Sequence, residues 1–322
     1  MADLLDTRLL HALHVDGRAP FSLIAEVLGV SDQTVARRYA RLRSSGRLRI
    51  RGQTDADLAG QTQWIVRIQC AANAAALAQA LARRPDTAWI SLTSGGTEIT
   101  GTVRTRAGAE QDNRLLLETL PRSRTVTAMS AHCVLHTFFG NAVSVVDKSG
   151  PLTAAQIARL RPPASAADRS AATRPIGPAD RPLLAGLAED GRAAFSDLAA
   201  ATGWSPSTVR RRVAELRTSG ALFFDVDYHQ ELIDRPLRAV LWLTVGLDRL
   251  DEAGRALAEH PETAYVASTT GAANLHAAIL CSDTHALYGY LTTRVAALPG
   301  LQHSESAPIL KTVKRTGVLG DL

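Results

Sequence analysis

Two stretches of the sequence carry the same cationic pattern, SDQTVARRYARLRSSG at 31–46 and SPSTVRRRVAELRTSG at 205–220. In the first, Val35, Tyr39 and Leu42 fall at i, i+4 and i+7, the spacing of one helix face; Val209, Val213 and Leu216 repeat it in the second. Burying that face turns Gln33, Thr34, Arg37, Arg38 and Arg41 outward in the first copy. In the second it leaves Ser207, Thr208, Arg210, Arg211 and Arg212 as the polar, cationic set. Guanidinium groups fork onto phosphates and onto the edge of guanine, and small polar side chains fill in between them. The chemistry on offer is contact with double-stranded DNA.

A second cationic feature follows directly. In GRLRIRGQT, Leu48 and Ile50 alternate with Arg47, Arg49 and Arg51, a strand pattern with its charge on one face and suited to a phosphate backbone. The matching stretch of the second copy, ALFFDVDYH, carries Asp225 and Asp227 instead. Residues 1–54 hold nine Arg against five acids; residues 175–228 hold six against seven. The expectation is that the first copy anchors phosphate more strongly and the second keeps a reading helix with weaker anchoring.

Other chemistry is thinly represented. His132, Cys133 and His136 have metal-ligand residue types, but 133 opposes 132 and 136 on a strand and no second cluster completes a site. His11 and His14 read as packing or surface residues. Trp64, Trp89, Trp242 and Tyr265 fall on predicted strands and read as sheet core. There is no phosphate-binding glycine loop, dinucleotide fingerprint or nucleophile elbow, so neither a cofactor nor a metal is expected. Cys70, Cys133 and Cys281 show no pairing pattern, the N-terminus lacks a secretory signal, and no apolar run reaches bilayer length. The expected location is the cytoplasm, without membrane association. A net charge of +5 favours a polyanionic partner.

The elements that position these residues come as a duplication. Asp6 aligns with Asp180 at an offset of 174, and the register holds without a gap to Gly46 and Gly220, with 18 identities in the 31 positions from 16 to 46. RRPDTAWISLTSGGTEI at 83–99 matches EHPETAYVASTTGAANL at 259–275, offset by 176. In the first half, helices are expected at about 4–14, from Ser22 to Gly29, and from an N-cap at Ser31. Two short helices joined through Gly-x-Ser, the second with a polar outer face, meet the requirements of a helix-turn-helix. Strands 64–70, 87–94, 98–105 and 125–139 and helices 72–84 and 109–120 then give the order βαββαβ, a ferredoxin-like arrangement that recurs in the second half.

The chain is therefore an α+β protein in which two winged helix-turn-helix domains alternate with two ferredoxin-like domains. The expected domains are 1–54, 60–140, 178–228 and 236–317. A linker at 141–177 includes a Pro-, Ala- and Ser-rich stretch from 161 and one short extra helix at 152–160.

These motifs resemble the Lrp/AsnC family of bacterial and archaeal transcription regulators. The carriers are Asp6–Leu10, DGR at 16–18, G-x-S-x-x-T-V-x-R-R at 29–38 and the Leu42–Gly46 ending, each present in both halves. The resemblance implies operator binding by the helix-turn-helix and a ferredoxin-like part that senses an amino acid or similar small effector and mediates oligomerisation. It places the effector near the turns Thr93–Glu98 and Thr269–Asn274. The candidate contacts are Ser94, Gly95, Gly96, Thr97 and Glu98 in the first turn, and Thr270, Gly271, Ala272, Ala273 and Asn274 in the second. Glycine there lets backbone amides approach a carboxylate. Fusion of two modules implies an intrachain pseudo-dimer, with further homo-oligomerisation expected. Tandem modules of this kind also occur in siroheme decarboxylases, which do not read DNA; the excess of arginine in the first head favours a regulator, not an enzyme. A metabolite-binding protein with vestigial heads is the third reading.

Overall fold

The structure, a computed structural model, describes residues 3–71, 73–106, 113–140, 144–161, 175–229 and 232–315. It divides into two compact units, one formed by 1–59 with 141–234 and the other by 60–140 with 235–321. Both heads therefore share the first unit, and both ferredoxin-like copies share the second.

Each head is built from three helices: α1 (Leu4–Val15), α2 (Phe21–Leu28) and α3 (Asp32–Ser44) in the first; α7 (Arg181–Glu189), α8 (Phe195–Thr202) and α9 (Pro206–Thr218) in the second. Local rules set most of their ends. Ser31 Oγ accepts from Thr34 N at 3.2 Å and Ser205 Oγ from Thr208 N at 3.1 Å, so both predicted N-caps are formed. Helix α2 begins at Phe21 after Pro20, two residues earlier than an N-cap at Ser22 would allow. It ends at Gly29, whose φ of 69° is the left-handed conformation of a helix C-terminus. Val35, Tyr39 and Leu42, and Val209, Val213 and Leu216, are all buried as their spacing predicts. Each such side chain contributes about 1.5–3 kcal/mol by leaving water.

The wings are where the heads join. Strand β1 (Leu48–Thr54) pairs antiparallel with β6 (Leu222–Tyr228), Ile50 opposite Val226 and Arg51 opposite Asp225. β1 packs on α7 of the other head, and β6 on α1. At Gly52 a Cβ would stand 2.8 Å from Leu187 Cβ, so only glycine allows this approach. Short helices α5 (Val145–Ser149) and α6 (Ala154–Leu160) also belong to this unit. Thr153 and Gln156 form a capping box on α6, the Gln156 side-chain amide donates to Val27 O at 2.9 Å, and Leu152 N donates to His11 Nδ1 at 3.1 Å. The extra helix thus covers the first head, with His11 buried beneath it. Of the predicted linker, 141–143 and 162–174 lie outside the described residues.

The second unit carries β2 (Gln61–Cys70), α4 (Ala74–Ala82), β3 (Thr87–Thr93), β4 (Glu98–Arg106) and β5 (Val126–Phe139) from one copy. The other supplies β7 (Leu237–Val245), α10 (Leu250–Glu259), β8 (Thr263–Thr269), β9 (Leu275–Cys281), α11 (Thr284–Tyr290), β10 (Leu301–Pro308) and β11 (Lys311–Thr312). The nine strands follow the order β10-β7-β9-β8-β5-β2-β4-β3-β11. Ile68, Ile90, Ile99 and Leu115 centre one apolar core, and Leu241, Leu257, Leu275 and Ile279 the other. Strand β5 joins the copies by hydrogen bonds, its residues up to Cys133 pairing with β2 and those from Val134 onward with β8. Reciprocally, β11 pairs with β3. A π-type turn at Leu115–Thr119 stands within the helix predicted over 109–120, of which 109–112 lie outside the described residues. Trp89 departs from the predicted sheet core: it sits at a register irregularity with φ 55° and is 41% exposed. Among the described residues, no helix is long and apolar enough to cross a membrane and no group of three ligating side chains could hold a metal.

Candidate nucleic-acid interface

The two heads are clasped by residues that their common sequence supplies twice. Arg18 donates to the carbonyls of Gly191 (2.6 Å) and Ala193 (2.9 Å), and Arg192 donates to those of Gly17 (2.8 Å) and Ala19 (3.0 Å). Arg18 lies over the Phe195 ring at 4.6 Å and Arg192 over Phe21 at 4.4 Å. Arg43 pairs with Asp190 and Arg217 with Asp16, at 2.7 and 2.8 Å. Burial, and then the nearby Arg192 and Arg217 charges, pull the Arg18 guanidinium down to about 10, so it still holds its proton at neutral pH. The DGR triplets, read from sequence only as a shared motif, are thus the joint between heads. Their signal was identity in both copies without an outward-facing role.

The arginines of the third helices do not all face outward. Arg38 reaches Asp3 at 2.5 Å and Asp6 at 2.9 Å, and Arg41 reaches the same Asp6 at 2.6 Å. Hydrogen bonding to these carboxylates raises the Arg38 guanidinium further, and the Asp3 carboxyl is lowered in turn by Arg38. Arg212 is 3% exposed and grips buried Asp180 through two nitrogens at 2.8 and 2.9 Å. Asp6 and Asp180 are equivalent at the offset of 174, as are Arg38 and Arg212. These contacts pin the third helix of each head, to Asp6 on α1 in the first and to Asp180 at the residue before α7 in the second, and Arg212 is a buried structural residue where the sequence predicts a DNA contact. What remains displayed is Gln33, Arg37 and Arg41 on α3, and Ser207, Arg210 and Arg211 on α9, with Thr34 and Thr208 half-buried. Arg210 lies 5.4 Å from the Phe195 ring centroid, and Arg211 is 3.6 Å from Glu215.

The wing reading also changes. Register places Arg49 opposite Asp227 and Arg51 opposite Asp225, and residues directly opposite in an antiparallel pair share a face. The acids of the second copy therefore offset the cations of the first within one ribbon. Arg51 is half-buried, its Nη1 3.4 Å from Ala188 O, and Arg47 is half-buried; only Arg49 is exposed. A free basic wing beside an independent acidic one does not exist here.

In the second unit the two predicted effector turns differ. Ser94, Gly95 and Thr97 are exposed and Gly96 half-exposed, but the Glu98 side chain is buried against Arg67 (2.8 Å) and Thr93 (3.0 Å). Arg67 continues to Glu305 at 2.7 Å and lies 5.7 Å from the Trp242 ring centroid. Asn274 spends its amide on Val245, accepting from its N and donating to its O at 2.9 and 2.8 Å. Thr270 Oγ1 accepts from Cys133 N, and its carbonyl is bound by His132 Nδ1. Glu98 and Asn274 are therefore sheet-stabilising side chains. Thr270, Gly271 and Ala272 remain exposed and Ala273 half-exposed. His132 also meets Ser130 Oγ at 2.9 Å, which explains it without a metal.

Paired helix-turn-helix heads joined through their wings, together with two ferredoxin-like copies in one sheet, define a duplicated protein of the winged helix-turn-helix class. An AsnC-type helix-turn-helix domain model matches residues 3–43 and 179–217, and the Lrp/AsnC ligand binding domain model matches 238–319, together half of the chain. The chain belongs to the Lrp/AsnC family. The HTH-type transcriptional regulator FL11 of Pyrococcus horikoshii is 27% identical over 143 residues, 44% of this chain and 94% of the relative. FL11 of Pyrococcus abyssi is 26% identical over 138 residues, 42% and 91% respectively. Among solved structures, the siroheme decarboxylase NirDL shares the fold at a TM-score of 0.60 and 14% identity, covering 94% of this chain and 89% of that one. The FL11 proteins thus match one module, and NirDL matches the duplicated whole.

Proposed function

We propose that the chain is a sequence-specific DNA-binding transcriptional regulator that inserts α3 and α9 into successive major grooves of an operator. The observation that carries this reading is the display of Gln33, Arg37, Arg210 and Arg211 on two helices fixed in one clasped unit. Thr34 and Thr208 complete the base-facing set, Arg41 and Arg49 supply phosphate contacts, and Arg38, Arg47, Arg51 and Arg212 hold the heads in shape. Heads at 1–54 and 178–228 read DNA, while the copies at 60–140 and 236–317 bind an amino acid or related small metabolite. The turns Ser94–Thr97 and Thr270–Ala273 are the contact surface for its carboxylate, with Gly95 and Gly271 exposed and Thr270 N already donating to Cys133 O at 2.9 Å. The likeness to NirDL supports a shared fold; decarboxylation of siroheme belongs to that protein.

Genome-wide capture of bound DNA, followed by anisotropy titration of the captured duplexes with and without amino acids, tests the reading. Saturable, salt-sensitive binding that an amino acid shifts is the expected result. Absence of enriched DNA, with tetrapyrrole binding by the purified chain, would replace it with the enzyme reading.

A further inference from the structure

A homodimeric reader presents two identical helices, and its operator mirrors that identity. This chain presents two different ones, and its ribbon keeps the pair mixed. Arg51 and Asp225 are equivalent positions at the offset of 174, and they stand opposite each other. Pairing β1 with β1 of a second copy in the same register would set Arg51 against Arg51; pairing β6 with β6 would set Asp225 against Asp225. Like charges directly opposite destabilise a strand pair, so the mixed pairing is selected against both alternatives.

The displayed faces of α3 and α9 then differ at defined positions. Thr34 and Thr208, and Arg37 and Arg211, are shared. Exposed Gln33 is matched by Ser207, whose Oγ lies 2.8 Å from Ser205 Oγ. Ala36 is matched by exposed Arg210, and exposed Arg41 by Glu215. A glutamine amide pairs with adenine through two hydrogen bonds, which a serine hydroxyl cannot copy, and an added guanidinium favours guanine.

Resting on the regulator reading, we infer that the operator is directional. Its halves share the base pairs met by Thr34/Arg37 and Thr208/Arg211, then diverge, with adenine facing Gln33 in one half and guanine facing Arg210 in the other. The chain binds such a site in one orientation only.

Selection of duplexes from a random pool by the full chain at one fixed salt concentration tests this. The expected consensus has two unequal halves. Gln33→Ala, with Gln33→Ser as the milder second variant, relaxes adenine preference in one half by roughly 5- to 150-fold and leaves the other intact. Arg210→Ala acts on the opposite half alone, and the double change Ser207→Gln with Arg210→Ala makes the halves alike. A palindromic consensus for the unaltered chain, or a Gln33→Ala effect shared equally by both halves, overturns the inference while leaving DNA reading intact. Failure to enrich any duplex overturns DNA reading itself, and this inference with it.

Discussion

Arg51 and Asp225 occupy the same position in the two copies, and in the folded chain they face one another across the β1–β6 ribbon. A charge difference between repeats is thereby converted into a pairing rule. Exchanging the charges should show it. Arg51→Asp and Asp225→Arg each create a like-charge pair and should each lower stability by about 1 kcal/mol, whereas the double exchange should recover most of the loss. Urea unfolding of the four proteins measures the coupling, and strictly additive losses would refute the rule.

The pins on the two third helices should be unequal. Asp180→Ala removes both carboxylate contacts of a buried guanidinium, leaving it Glu215 at 3.2 Å and Pro175 O at 3.1 Å, and is expected to cost about 3 kcal/mol. Asp6→Ala should cost less, because Arg38 keeps Asp3 and the Arg41 side chain is 59% exposed. Denaturation midpoints of the two variants give the order.

Arg18→Ala and Arg192→Ala each remove a guanidinium held by two carbonyls, for an expected loss of about 2–3 kcal/mol each. Neither residue belongs to the displayed set, so a fall in operator affinity would report loss of head alignment. Comparing affinity with hydrogen exchange in β1 and β6 separates the alignment effect from global unfolding.

Acid should weaken the fold. Burial, then the neighbouring His132, pushes the His276 imidazole down to about 3, and burial with His11 does the same to His14. Below an unfolded value near 6.5, the unfolded chain takes up protons that the native chain refuses. The stability present above pH 6.5 is therefore lost progressively as pH falls toward 3, by up to about 2 kcal/mol per histidine by pH 5. Urea midpoints from pH 7 to 5 measure this, and His276→Gln should flatten the slope.

Salt dependence should separate displayed from structural arginines. Arg41→Ala and Arg49→Ala, which remove the proposed phosphate contacts, are each expected to reduce the slope of log affinity against log salt by about one. Arg51→Ala and Arg212→Ala should change stability and leave that slope nearly unchanged. Equal slope changes for all four would place Arg51 and Arg212 on the DNA.

The helices of both heads were readable because their signals are local: Ser31 and Ser205 as caps, Gly29 as a stop, and buried faces at three- and four-residue spacing. Ser22 misled because Pro20, two residues earlier, already admits the helix start. The βαββαβ order was readable for the same reason, through apolar alternation between turns. Trp89 was not, since a strand pattern does not announce a positive φ. Arg37 and Arg38 mark the limit within the candidate interface. They are neighbours on one helix, about 100° apart, and what separates the displayed side chain from the pinned one is the position of Asp6 on another helix.

Short-range chemistry thus settles the repeated elements, the caps and the cationic character of the third helices. Pairing across the chain settles which charges remain available. Arg51 and Asp225 lie 174 residues apart, and their placement opposite each other depends on a strand register that no local pattern encodes. The same holds for Arg18 and Arg192, whose partners are backbone carbonyls of the opposite head. A carbonyl carries no residue identity, so the clasp exists only once the two heads have met.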